Sequence, residues 1–164
     1  MHAKSKQKIK TEEPSNGGSQ RKSDWNLPFL LCLLLIAVAT YVIFSGAKDN
    51  QFVNWDDQVY VEEQPLVLEK KYDQLLKTPV SLNYHPVTMI SLALHSTKDV
   101  KKLSPKPFIY LNIWLHIFNS LLVFVLIWMI NERKWMIALL TALIFALHPS
   151  HTESVVWVSE RKDV

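Results

Sequence analysis

Glycine is nearly absent, with three in 164 residues. That scarcity argues against nucleotide folds built on glycine-rich phosphate loops. Cysteine is scarcer still, since Cys32 stands alone inside an apolar run. A single thiol builds no disulfide framework, and its compartment cannot be read from cysteine usage. Internal repeats are missing as well, which excludes a solenoid within these residues. The telling absence is charge. Although 20% of the chain is charged, three long stretches carry no charged side chain.

The first such stretch, Leu27 to Ser45, reads LPFLLCLLLIAVATYVIFS. Its roughly 19 residues at ~1.5 Å rise nearly match a ~30 Å hydrocarbon core. It exceeds the ~7–15 apolar residues of a signal peptide and follows a long tail, so it reads as an uncleaved signal-anchor. The second, Phe108 to Asn131, is longer, with polar groups only at Asn112, His116, Asn119 and Ser120. The third, Trp135 to Leu147, is short for a span. Only Glu132, Arg133 and Lys134 separate it from the second, so a transmembrane hairpin reaching past His148 is expected. The reading is an all-α membrane protein with three spans, about 27–46, 108–131 and 134–149.

Charge sets the expected orientation. Residues 1–24 carry Lys4, Lys6, Lys8, Lys10, Arg21 and Lys22, and the short turn adds Arg133 and Lys134. The positive-inside rule then puts the amino terminus and the turn in the cytoplasm. The loop 47–107 and the tail from His148 to Val164 fall outside. Residues 1–26 are too polar to bury a core and are expected to be a disordered basic tail. Its lysines suit orientation and anionic lipid, not nucleic acid. In the outer loop, Leu66 to Leu76 is patterned for a short amphipathic helix on the membrane surface. Pro86 to His95 is expected to be a second short helix, in the interface or against the bundle.

Two clusters on the outer face carry chemistry. Asp56 and Asp57 follow Trp55 just beyond the first span. Adjacent carboxylates there are a solvated loop or a general base. His148, His151 and Glu153 follow the third run, with Arg161 and Lys162 close behind. Two imidazoles and a carboxylate over six residues have the donor types for a divalent cation. The spacing is not the HExxH of a zinc protease, and Pro149 weakens such a helix. His116 reads as a hydrogen-bonding group between helices.

The segments FVNWDDQVYV, YHPVTMISLALH, LNIWLHIFN and ALIFALHPSHTESVVWVSERKDV resemble the amino-terminal part of multi-span glycosyltransferases of the GT-C fold. The branch they are most similar to is the transmembrane and tetratricopeptide repeat O-mannosyltransferases. The resemblance covers residues from about 27 to 164, which it makes a partial GT-C-like bundle. It implies a polyprenyl-phosphate-linked sugar as donor, a protein or glycan hydroxyl as acceptor, and an outer-face site with an acidic residue in the first outer loop. Asp56 or Asp57 would be the base. Arg161, Lys162 or a cation held by His148, His151 and Glu153 would stabilise the donor phosphate. Related transferases often have Asp-Glu where this chain has Asp-Asp, which leaves the base open between the two. A bacterial-type member would sit in the inner membrane. Such enzymes have more spans and, in this branch, helical repeats, so a fragment is expected. The alternatives are a non-catalytic membrane scaffold and a carrier, the latter poorly supplied with polar groups along its spans.

Overall fold

The computed structural model describes residues 27–164. The expected basic tail, 1–26, lies outside them. Among the described residues seven α-helices are formed: α1 Leu27–Phe44, α2 Pro65–Leu68, α3 Tyr72–Leu75, α4 Pro86–His95, α5 Lys106–Ile130, α6 Trp135–Leu147 and α7 His151–Val156. Short 3-10 turns extend α1 over Ser45–Asp49 and close the chain over Ser159–Asp163. Among the described residues the one β feature is an isolated bridge between Val80 and Asn83.

Helices α1, α5 and α6 pack as a bundle. α1 with its 3-10 extension, Leu27–Asp49, and α5 are each long and apolar enough to cross a membrane. The third expected span is not one helix of that length. α6 has 13 residues, or ~20 Å, against a ~30 Å core. It does not reach past His148, because that residue is already extended at φ −66° and ψ 132° and Pro149 follows. Ala138, Ala142 and Ala146 lie at four-residue intervals on α6 and are fully buried. Small residues at that spacing let helix backbones approach closely. Phe29, Ile36 and Phe124 fill the same core, where Cys32 is packed rather than facing out.

The α5–α6 turn is tight without glycine. Glu132 and Arg133 adopt left-handed φ values of 49° and 65°, and Arg133 N–H returns to Trp128 O at 2.9 Å. Left-handed geometry costs an L-residue about 1–2 kcal/mol, here held by the packed helices on either side.

The outer segment forms its own core. Val61, Val67, Leu75, Met89 and Leu92 are buried against Phe108, Ile109 and Ile113 of α5. The single amphipathic helix expected over Leu66 to Leu76 is instead two four-residue helices. Lys70 between them takes φ 55° and breaks the run. α4 occupies the expected Pro86 to His95 span, with proline at its start where no N–H is needed. The Ser96 hydroxyl ends it by donating to Val67 O at 2.6 Å, which fastens α4 to α2.

Candidate functional site

The polar groups of α5 explain how the carboxyl-terminal segment is placed. Asn112, His116, Asn119 and Ser120 recur at steps of four, three and one, so all lie along one face of the helix. Each bonds to backbone. His116 Nε2 lies 2.9 Å from Ala146 O, so Nε2 carries the proton and satisfies a carbonyl in the last turn of α6. Asn112 Nδ2 donates to Trp157 O at 2.9 Å, Asn119 Nδ2 donates to Val164 O, and Ser120 Oγ donates to His116 O. The expectation that His116 bonds a neighbouring helix therefore holds.

His116 is the eleventh residue of α5, so the end of α6 sits ~15 Å below the start of that helix. Beyond it α7 and the Trp157–Val164 segment pack along α5 as far as Asn119. Irregular backbone packed against a helix needs protein partners for its buried polar groups. The asparagines of α5 supply them.

Asp57 is fully buried. One carboxylate oxygen accepts from Val53 N at 2.9 Å and the other from Ser159 N at 2.9 Å. The carboxylate thus closes the loop that follows α1 and ties it to the end of the chain. Asp56, its neighbour, is half-buried and has no hydrogen-bond or ion-pair partner among the described residues. Two adjacent, identical side chains therefore hold different positions: one is a clamp and the other is free. The π-helical turn Gln58–Glu62 begins directly after them. Within it Glu62 is raised above its ordinary value by partial burial, then by the charges of Asp57 and Glu63.

Arg161 is buried and ties three elements together. Nε donates to Asn112 Oδ1 at 2.7 Å, Nη2 to Phe108 O at 2.8 Å and Nη1 to Ser91 Oγ at 3.2 Å. Its guanidinium carbon lies 5.8 Å from the Phe108 ring centroid. No carboxylate pairs with it among the described residues, and desolvation lowers its pKa to about 10. It is a fastener rather than a free cation. Lys162 is more open and donates to Glu160 at 2.8 Å. Burial lowers the ammonium, but the hydrogen bond and charge of Glu160, with Asp163 and Tyr60, outweigh it and leave Lys162 above its ordinary value.

The histidine cluster is only partly assembled. His151 stacks with Phe145 at 4.6 Å and His116 at 5.1 Å between ring centroids. His148 is exposed, its ring 6.5 Å from that of His151, and its Nδ1 accepts from Ser150 N at 3.2 Å. Glu153 is exposed. Among the described residues no three His, Cys, Asp or Glu side chains are grouped to hold a metal ion. The set His148, His151 and Glu153 does not fit a divalent cation in this arrangement.

Sequence reasoning treated Asn112 as a scattered polar group and gave Ser91 and Ser159 no role. The helical spacing of Asn112, His116 and Asn119, by four and three, is the signal available for the first. Ser159 contributes its backbone N–H, which no side-chain pattern reports. No family model matches the chain, and no curated protein or solved structure matches it.

Proposed function

We propose that this chain is a GT-C-type glycosyltransferase module in a multi-pass membrane protein, moving a sugar from a polyprenyl-phosphate donor to an acceptor hydroxyl. The observation that carries the reading is the unequal Asp pair. Asp57 is locked by two backbone N–H groups, which holds Asp56 half-exposed and unpartnered beside it. Asp56 is the base that takes the acceptor proton as the hydroxyl oxygen attacks the sugar carbon, and the lipid phosphate leaves. Lys162, held charged by Glu160, is the cation for the departing phosphate. Arg161 positions the segment that bears it. An apolar groove of about 420 Å³ between α1 and α5, walled by Tyr41, Tyr110 and Trp114, accommodates the isoprenoid chain. The amino terminus is cytoplasmic and the site faces outward, with α6 as the core of the third crossing and the residues from His148 to Val164 on the outer side.

The test is transfer from a polyprenyl-phosphate sugar with Asp56→Asn in the full-length protein. General-base loss lowers the rate by about 10²–10⁴-fold. Unchanged transfer by a well-expressed Asp56→Asn protein sinks the assignment. A second reading, a non-catalytic membrane scaffold, is favoured by the internal bonding of Arg161. It predicts altered co-purification and no enzymatic change for the same substitution.

A further inference from the structure

The 3-10 turn that extends α1, Ser45–Asp49, meets α7 at a pocket of about 370 Å³. Ile43, Phe44 and Val156 give it apolar walls, and Gly46 and Ala47 contribute almost no side chain. Asn50 lines it from the loop and Thr152 from the helix. Both are exposed, and their backbone N–H groups are used locally, Asn50 N donating to Ala47 O at 2.9 Å and Thr152 N to Pro149 O at 3.1 Å. Their side chains leave an amide and a hydroxyl without a partner among the described residues. No ionisable side chain among those residues lines the pocket. Asp49, close by in sequence, is paired with Lys106 at 3.3 Å.

The Asp57 clamp joins the two segments that wall this pocket. Asn50 lies three residues before Val53 and Thr152 seven before Ser159, and the Asp57 carboxylate accepts from the N–H groups of Val53 and Ser159. A buried bond therefore sets how far apart the walls stand.

The lining selects by chemistry. An ion entering the pocket is desolvated with no counter-charge to meet it. A hydrocarbon chain covers Asn50 and Thr152 and leaves both unpaired. A pyranose ring answers both constraints, because its C–H face packs on apolar walls and its hydroxyls donate and accept at the amide and the hydroxyl. The volume falls at the lower end of the roughly 300–1,000 Å³ of small-ligand sites.

We infer that this pocket binds an uncharged pyranose. Its part in transfer rests on the reading given under Proposed function, whereas its binding rests on the pocket alone.

The experiment uses the full chain in phosphatidylcholine nanodiscs prepared without glycoside detergent. The probes are methyl glucopyranoside and methyl glucuronopyranoside, two rings that differ by a carboxylate, and saturation-transfer NMR reads their contact with the protein. The glucoside should give a saturable signal, and the glucuronide should bind at least ~10-fold more weakly. Gly46→Leu fills the pocket: a Cβ there meets nothing within 4 Å, and Gly46 has no left-handed φ. It should keep the unfolding temperature and lose the glucoside signal. Thr152→Val removes one hydroxyl at constant shape and should weaken binding about 2- to 10-fold, the worth of one neutral hydrogen bond. A glucoside signal untouched by both substitutions comes from elsewhere and overturns the pocket. Equal binding of the two probes overturns the uncharged class, and no signal from either overturns the inference outright. Displacement of the glucoside by a polyprenyl-phosphate hexose, but not by polyprenyl phosphate, supports the pocket as the seat of the donor ring; a glucoside that stays bound supports it as the seat of an acceptor ring. Binding lost in Gly46→Leu, with transfer unchanged in Asp56→Asn, keeps the pocket and removes the transfer reading. Transfer lost in Asp56→Asn, with no glucoside bound by the parent, removes the pocket alone.

Discussion

Replacing Asp57 with alanine separates the clamp from the chemistry. The substitution removes both oxygens that accept from Val53 N and Ser159 N, each at 2.9 Å. Alanine replaces neither acceptor, and the Ser159 amide is buried where water cannot serve instead, whereas Val53 is exposed and can be rehydrated. The orphaned buried Ser159 donor costs about 1–3 kcal/mol, a large share of the ~5–15 kcal/mol that holds a domain folded. Asp56→Ala removes a half-exposed carboxylate with no partner and should change stability by no more than about 0.5 kcal/mol. Thermal unfolding of the two proteins in detergent measures the contrast. Hydrogen exchange at Val53 and Ser159 locates it, since both amides should lose protection only in Asp57→Ala. Equal destabilisation by the two substitutions, or retained protection at Ser159 in Asp57→Ala, refutes the assignment of the clamp.

Other outcomes follow from the same geometry. Glu132→Gly relieves a left-handed φ of 49° and should stabilise the α5–α6 turn by about 0.4–1 kcal/mol in chemical denaturation. Ala142→Leu inserts bulk where α6 is fully buried and should destabilise by roughly 1–3 kcal/mol, read as a lower unfolding temperature. Phe108→Ala empties the outer core and removes the ring beneath Arg161, costing about 3–5 kcal/mol in the same assay. Because folding raises Glu62, its protonated form is favoured in the native state. Its contribution is fully present below the ordinary glutamate value and is lost as pH rises through the raised one. Glu62→Gln should therefore be more stable than the parent at neutral pH, with the difference closing in acid.

Hydropathy made the two long helices legible because an uncharged run of that length has few other uses. The Pro86 to His95 helix was legible from its proline and its length. The break at Lys70 was not, because left-handed backbone at lysine is imposed by the packing of α2 and α3 and leaves no local signature. The third run forms a helix of 13 residues, and the segment beyond it is held along the polar face of α5 by bonds between positions 45 residues apart, which no local pattern reports. The Asp pair was visible as a site and ambiguous as to role. Only the distant Ser159 amide distinguishes one carboxylate from the other, and composition near Asp57 contains no trace of it.

The Asp57–Ser159 bond joins positions 102 residues apart. During synthesis at about 5–20 residues per second, the loop after α1 must wait roughly 5–20 s for the group that fastens it. Until then Asp57 is a charged side chain on an unanchored loop, and the α5 asparagines have no carbonyls from the tail to bind. The segment around Ser159 thus acts as a latch that sets only after α1 to α7 have all been made. A ribosome stalled before Ser159 would leave the outer segment unlocked however well its own helices had formed.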